Sequence, residues 1–248
     1  MTAPVLVTIV VALFLGAALQ RIAGFGLGLV VAPLLTLLLG PAVGVTVSNA
    51  GAVATTLVVL SAIHKDVDWK AFLRLCPLVV VGSLVGAVVV LRMSPAWLEV
   101  LIGSLILFAL LLSLGVNGRL QVRGPMATMT AGVTAGFVNT TAGVAGSVLT
   151  VYAVATRWDQ RSFAATLQPI LLLANISSLV SKSVVGAVPS DLGLPWWMWP
   201  LALGSVVVGV VAAGYGSRWV SAPAARRVAI GIAGLGGAVT LARGLTGV

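Results

Sequence analysis

The chain has 248 residues, of which 60% are hydrophobic and 8% charged, and its mean hydropathy is +1.17. A water-soluble domain carries roughly a quarter charged residues, so this composition excludes a soluble enzyme or binding module and predicts an all-α polytopic membrane protein. The net charge of +9 does not imply nucleic acid. The basic residues sit in short connections between apolar runs, where the positive-inside rule puts them.

In chain order, apolar segments cover 4–20, 26–39, 42–63, 72–92, 96–115, 125–138, 144–156, 163–187, 196–217 and 224–242. No basic n-region precedes the first of them, so it reads as a membrane segment and not as a cleaved signal. Charge is concentrated in three connections, His64–Lys70, Asn117–Arg123 and Arg157–Arg161. Trp196, Trp197 and Trp199 read as an aromatic anchor at the membrane interface. Glycines spaced four apart, as in Gly40/Gly44, Gly82/Gly86 and Gly132/Gly136, suit close helix–helix approach. The single cysteine, Cys76, allows no internal disulfide and reads as a small apolar residue.

Two runs are broken by glycine at matching places, Ala23–Gly28 and Thr141–Gly146, and Gly143 stands 119 positions after Gly24. At that same offset Asn49 falls opposite Gln168, and Pro77, Pro95 and Gly103 find later counterparts in Pro200, Pro223 and Gly231. Paired interruptions in two halves are the sequence mark of a transporter built from repeats. The expected division is a first repeat over 1–120, with hairpin 4–39 and helices 42–63, 72–92 and 96–115. The second covers 121–248, with hairpin 125–156 and helices 163–187, 196–217 and 224–242.

Charge separates two topologies. If each broken region is a hairpin returning to its starting side, ten basic residues share one face: Lys65, Lys70, Arg74, Arg119, Arg123, Arg157, Arg161, Arg218, Arg226 and Arg227. Three, Arg92, Lys182 and Arg243, fall on the other. Reading each region as one crossing splits the same thirteen seven to six, so the rule selects the hairpins. Segments 26–39, 125–138 and 144–156 span about 20 Å, short of a ~30 Å hydrocarbon core, and are expected to be re-entrant. Three crossings per half then invert the repeats, with basic loops in the cytoplasm and both termini outside.

Helices restarting after such breaks present free N–H groups and a positive dipole end, an arrangement suited to an anion. The expected substrate-binding residues of the first break are Gln20, Arg21, Gly24, Phe25, Gly26 and Gly28. Those of the second are Asn139, Thr140, Thr141, Gly143, Gly146 and Ser147, with Ser48, Asn49, Gln168 and Asn175 on the helices that follow the hairpins. Arg21 is either a substrate or gating contact or a structural cation. The amides either meet substrate or join helices. Thr55, Thr56, Ser177, Ser178 and Ser181 read as packing residues, and His64 as a solvated loop residue. Lys182, between two serines, reads as an outer-face anchor, with a place on the pathway as the alternative. No metal-ligand spacing, nucleotide loop, catalytic triad or buried carboxylate pair stands out. The chain is therefore not expected to be an enzyme or to hold a metal or cofactor. Its expected partners are a small anionic substrate, the bilayer and copies of itself, with no nucleic acid.

These features resemble the sulfite exporter TauE/SafE family: Gly16–Gly28 with Pro33, Pro41 and Asn49, and Gly136–Asn139 through Gly143–Ser147 with Asn175. The resemblance implies secondary export of sulfite or an organosulfonate across a bacterial cytoplasmic membrane. Gln20 and Asn139 are uncharged amides at positions where the resemblance implies acidic residues, and Arg21 is added, which favours an anionic cargo. A passive anion channel and a non-transporting scaffold are the alternatives.

Overall fold

A computed structural model describes residues 3–23, 27–115, 122, 124–189, 194–216 and 220–247. Among these are ten α-helices and no strand: α1 (Ala3–Ala23), α2 (Leu27–Leu39), α3 (Pro41–Ile63), α4 (Trp69–Arg92), α5 (Pro95–Gly115), α6 (Pro125–Ala142), α7 (Ala145–Thr156), α8 (Gln160–Val185), α9 (Met198–Gly216) and α10 (Ala222–Thr246). Seven are long and apolar enough to cross a membrane, while α2 and α7 are shorter apolar helices. The chain is an all-α polytopic membrane protein.

The helix ends follow local chemistry. Asp68, Asp159 and Ser221 cap α4, α8 and α10 by accepting from the backbone N–H of Ala71, Ser162 and Ala224. Each cap satisfies one of the amides a helix start leaves unpaired. Proline opens α3 and α6, where its fixed φ fits and its missing N–H costs nothing. One difference from the expected boundaries bears on the site. The run over 125–138 continues as helix to Ala142, giving α6 18 residues. Asn139, Thr140 and Thr141 therefore occupy its last turn and do not form an irregular link.

Glycine sets how the helices pack. A side chain on Gly82 would overlap the carbonyl of Val133, and one on Gly136 that of Val79, so α4 and α6 meet backbone to backbone, side by side and parallel. The pair α1 and α9 is also parallel, with Gly209 against the Phe14 carbonyl. The pair α5 and α10 is antiparallel, with Gly103 against Gly237 and Leu241 and Gly244 against Ala96 and Val100. Small residues with backbone contact replace the hydrophobic driving force that lipid removes. Each pair joins a helix before residue 115 to one after residue 125, so the two parts of the chain interlock.

Contacts fix the local directions of α2 and α3 and of their neighbours. Gln20 lies beside Leu27 and Gly16 beside Val31, so α2 folds back along α1 and α3 restarts from its foot. The helix α8 is antiparallel to α3, with Asn49 against Ser178 and Thr46 against Lys182. The foot of the first hairpin is tied down by Arg243. Its Nη1 donates to the Leu37 carbonyl at 3.0 Å and its Nε lies 3.4 Å from Glu99 Oε1.

Candidate functional site

The two interruptions meet. A side chain on Gly28, in the first turn of α2, would overlap the carbonyl of Gly143, so these backbones are in direct contact and only glycine fits. Gly143 ends α6 with φ 75°, the left-handed conformation glycine adopts without penalty, and its N–H donates to the Asn139 carbonyl at 2.9 Å. Two residues later α7 begins, with no side chain capping its start. Gly146 and Ser147 are buried in its first turn. Both restarting helices therefore begin at the crossing, which places two positive dipole ends close together.

An amide cluster surrounds it. Asn49 of α3 donates through Nδ2 to Ser178 Oγ of α8 at 2.7 Å and to the Asn139 carbonyl at 3.4 Å. Asn139 donates through Nδ2 to Asn175 Oδ1 at 2.9 Å. The amide hydrogens of Asn49 are thus spent on joining α3, α6 and α8, while its Oδ1 is left over. A carbon placed on Gly143 would sit 3.4 Å from that oxygen. Ser48 Oγ, Thr140 Oγ1, Thr36 Oγ1 and Gln168 Oε1 are likewise buried without a hydrogen-bond partner among the described residues. Leaving such groups unpaired costs about 1–3 kcal/mol each, and several in one protein call for a function. Thr141 is different, since its hydroxyl is used by the Phe137 carbonyl at 2.9 Å.

The expected residues of the first break divide. Gly24, Phe25 and Gly26 lie outside the described residues. Gln20 is buried, and its Oε1 accepts from the Leu27 N–H at 2.7 Å. It caps α2 from inside the hairpin, occupying an amide that an anion would otherwise find. Arg21 does not join the cluster. It is exposed and lines a groove with Ile22, Ala213, Val220 and Ala222. Gln168 lies two turns from Asn175, about 10 Å along α8. It is the ninth residue of its helix, as Asn49 is of α3.

Ser178, expected to be a packing residue, joins α8 to α3 by accepting from Asn49. Lys182 is no outer-face anchor: it is 1% exposed, and its Nζ donates to Thr46 Oγ1 at 3.3 Å. The signal was present as spacing, since 168, 175, 178 and 182 fall on one helical stripe. A cavity of about 720 Å³ lies elsewhere, at the foot of the second hairpin, lined by Arg74, Thr128, Tyr152 and Thr156 among others. Thr128 and Tyr152 share a hydrogen bond at 2.9 Å there. Among the described residues no group of three or more His, Cys, Asp or Glu side chains is placed to hold a metal.

No curated protein and no solved structure matches this sequence. The sequence does match the family described as Sulfite exporter TauE/SafE, over residues 8–241, nearly its whole length. The paired glycine breaks, the amide-lined crossing and that match lead to one conclusion: the chain belongs to the sulfite exporter TauE/SafE family of membrane transporters.

Proposed function

We propose that this protein is a secondary transporter that exports a small sulfur-containing oxyanion, sulfite or an organosulfonate, by alternating access around the Gly28–Gly143 crossing. The observation that carries this reading is the crossing itself. Two helix starts converge there, beside buried hydroxyl and amide groups with unused hydrogen-bonding capacity. Helix starts attract anions, and neutral donors hold one without trapping it. The hydroxyls of Ser48, Thr140 and Ser147 are the donors best placed for such an ion, with Asn139 and Asn175 bonded to each other across α6 and α8 beside it. Broken helices at matching positions of two inverted repeats, roughly 1–120 and 121–248, are the arrangement such carriers use.

In this reading the ten basic residues that share one face mark the cytoplasm of a bacterial inner membrane, and both termini lie outside. The cavity beside Arg74 then opens toward the cytoplasm and gathers anions before they reach the crossing. The test is purified protein in liposomes loaded with sulfite. Saturable sulfite movement, halted by Gly143→Val and competed by short sulfonates, is the expected result. Unaltered movement in Gly143→Val would discard this site. Large unitary currents would mean a channel, and neither flux nor sulfite-dependent thermal stabilisation would leave a scaffold.

A further inference from the structure

Lys182 is a cation in an unusual place. It lies in the last turn of α8, is 1% exposed, and ranks among the largest fully buried side chains of the molecule. Long basic side chains near a membrane helix end normally reach outward, leaving the charged head in water. This one turns inward across the α3–α8 seam to the neutral hydroxyl of Thr46. The ion pairs among the described residues are Arg161 with Asp66 and Arg243 with Glu99, so Lys182 has no carboxylate partner there. An ammonium has three protons to donate, and here one described partner receives one of them.

Its register is equally specific. Thr46 stands one turn before Asn49 on α3, and Lys182 one turn after Ser178 on α8. The Lys182–Thr46 contact is therefore the next rung, about 5 Å away, from the Asn49–Ser178 rung that abuts Gly143. An intramembrane cation held inside a bundle marks an ion pathway by default. We infer that Lys182 is the charge-bearing station of the anion pathway, receiving the small oxyanion on the side of the crossing away from the basic loops. Neutral helix ends and hydroxyls select the ion at the crossing. Lys182 supplies the full positive charge that draws it onward, the anion taking the place of Thr46 as partner. This inference rests on the transport reading above.

The test uses the fact that Cys76 is the single cysteine. In a Cys76→Ser background, Lys182→Cys is reconstituted and sulfite efflux measured. We expect the apparent affinity or rate to fall about tenfold or more, the worth of a charged hydrogen bond. Alkylation with 2-bromoethylamine, excess reagent then removed, forms a thioether that sulfite does not cleave and returns an ammonium at lysine length, and it should restore transport. Iodoacetamide, which adds bulk without charge, should not, and a short alkanesulfonate should slow both labelling reactions. Lys182→Arg should retain transport. If Lys182→Cys transports like its parent, resists aqueous labelling, or is rescued equally by both reagents or by neither, Lys182 is structural and the inference fails alone. If the Cys76→Ser parent neither moves sulfite nor is stabilised by it, the transport reading falls, and this inference with it.

Discussion

The two breaks are spelled alike but stabilised differently. At the first, Gln20 reaches along its own hairpin to cap α2, so the restart is satisfied locally, by a residue seven positions away. At the second, Gly143 closes α6 through a left-handed turn and α7 begins uncapped. There the support comes from other helices, through Asn49 and its partners on α6 and α8. Exposed backbone cannot be left to lipid, and the chain meets that demand once by short-range capping and once by tertiary contact. The second restart is accordingly the one that no side chain caps.

Substitutions can break this contrast. The largest effect is expected for Gly28→Val, whose side chain would strike the Gly143 backbone, an atom group that cannot swing aside. Displacing the crossing should lower sulfite flux by about 100-fold. Gly204→Val, with nothing within 4 Å, is the matched control and should transport normally. Equal flux in the two variants would dissolve the crossing as a site.

Next comes Asn49→Ala, which strands Ser178 Oγ and frees the end of α6. It should cost about 2–3 kcal/mol, read as a lowered melting temperature in detergent. Gly143→Ala should cost about 1–2 kcal/mol from the left-handed backbone alone, and Gly143→Asn less. Matching losses for Ala and Asn would show that packing, not conformation, fixes this position.

Gln20→Ala should cost about 1 kcal/mol, the usual worth of a helix cap, while Gln20→Glu keeps an acceptor and should stay near wild type. A larger loss for Gln20→Ala than for Asn49→Ala would reverse the contrast between the breaks. The smallest effect belongs to Arg21→Ala, an exposed position. It should shift stability by no more than about 0.5 kcal/mol and leave sulfite affinity unchanged, and a collapse of affinity would return Arg21 to the site.

Much of this protein was written locally. Apolar runs long enough to cross lipid, prolines at helix starts and glycines at helix ends act over a few residues, so the boundaries of α1 to α10 could be read almost directly. The end of α6 was misplaced because Asn139–Thr141 look like a link. Asn139 is instead held by Asn175 of α8, a partner no short window contains.

The sequence by itself determined that the chain belongs in a membrane, roughly where its helices lie, and where two apolar runs break. Tertiary structure alone decided what the polar residues do. Arg21 and Lys182 are both basic, each near the end of an apolar run, yet one faces outward and the other is sealed against Thr46. The same holds for Ser178, one serine among several until α3 places Asn49 against it. Burial and hydrogen-bond partners arise from helices more than a hundred residues apart, and hydropathy carries no record of which faces those helices will share.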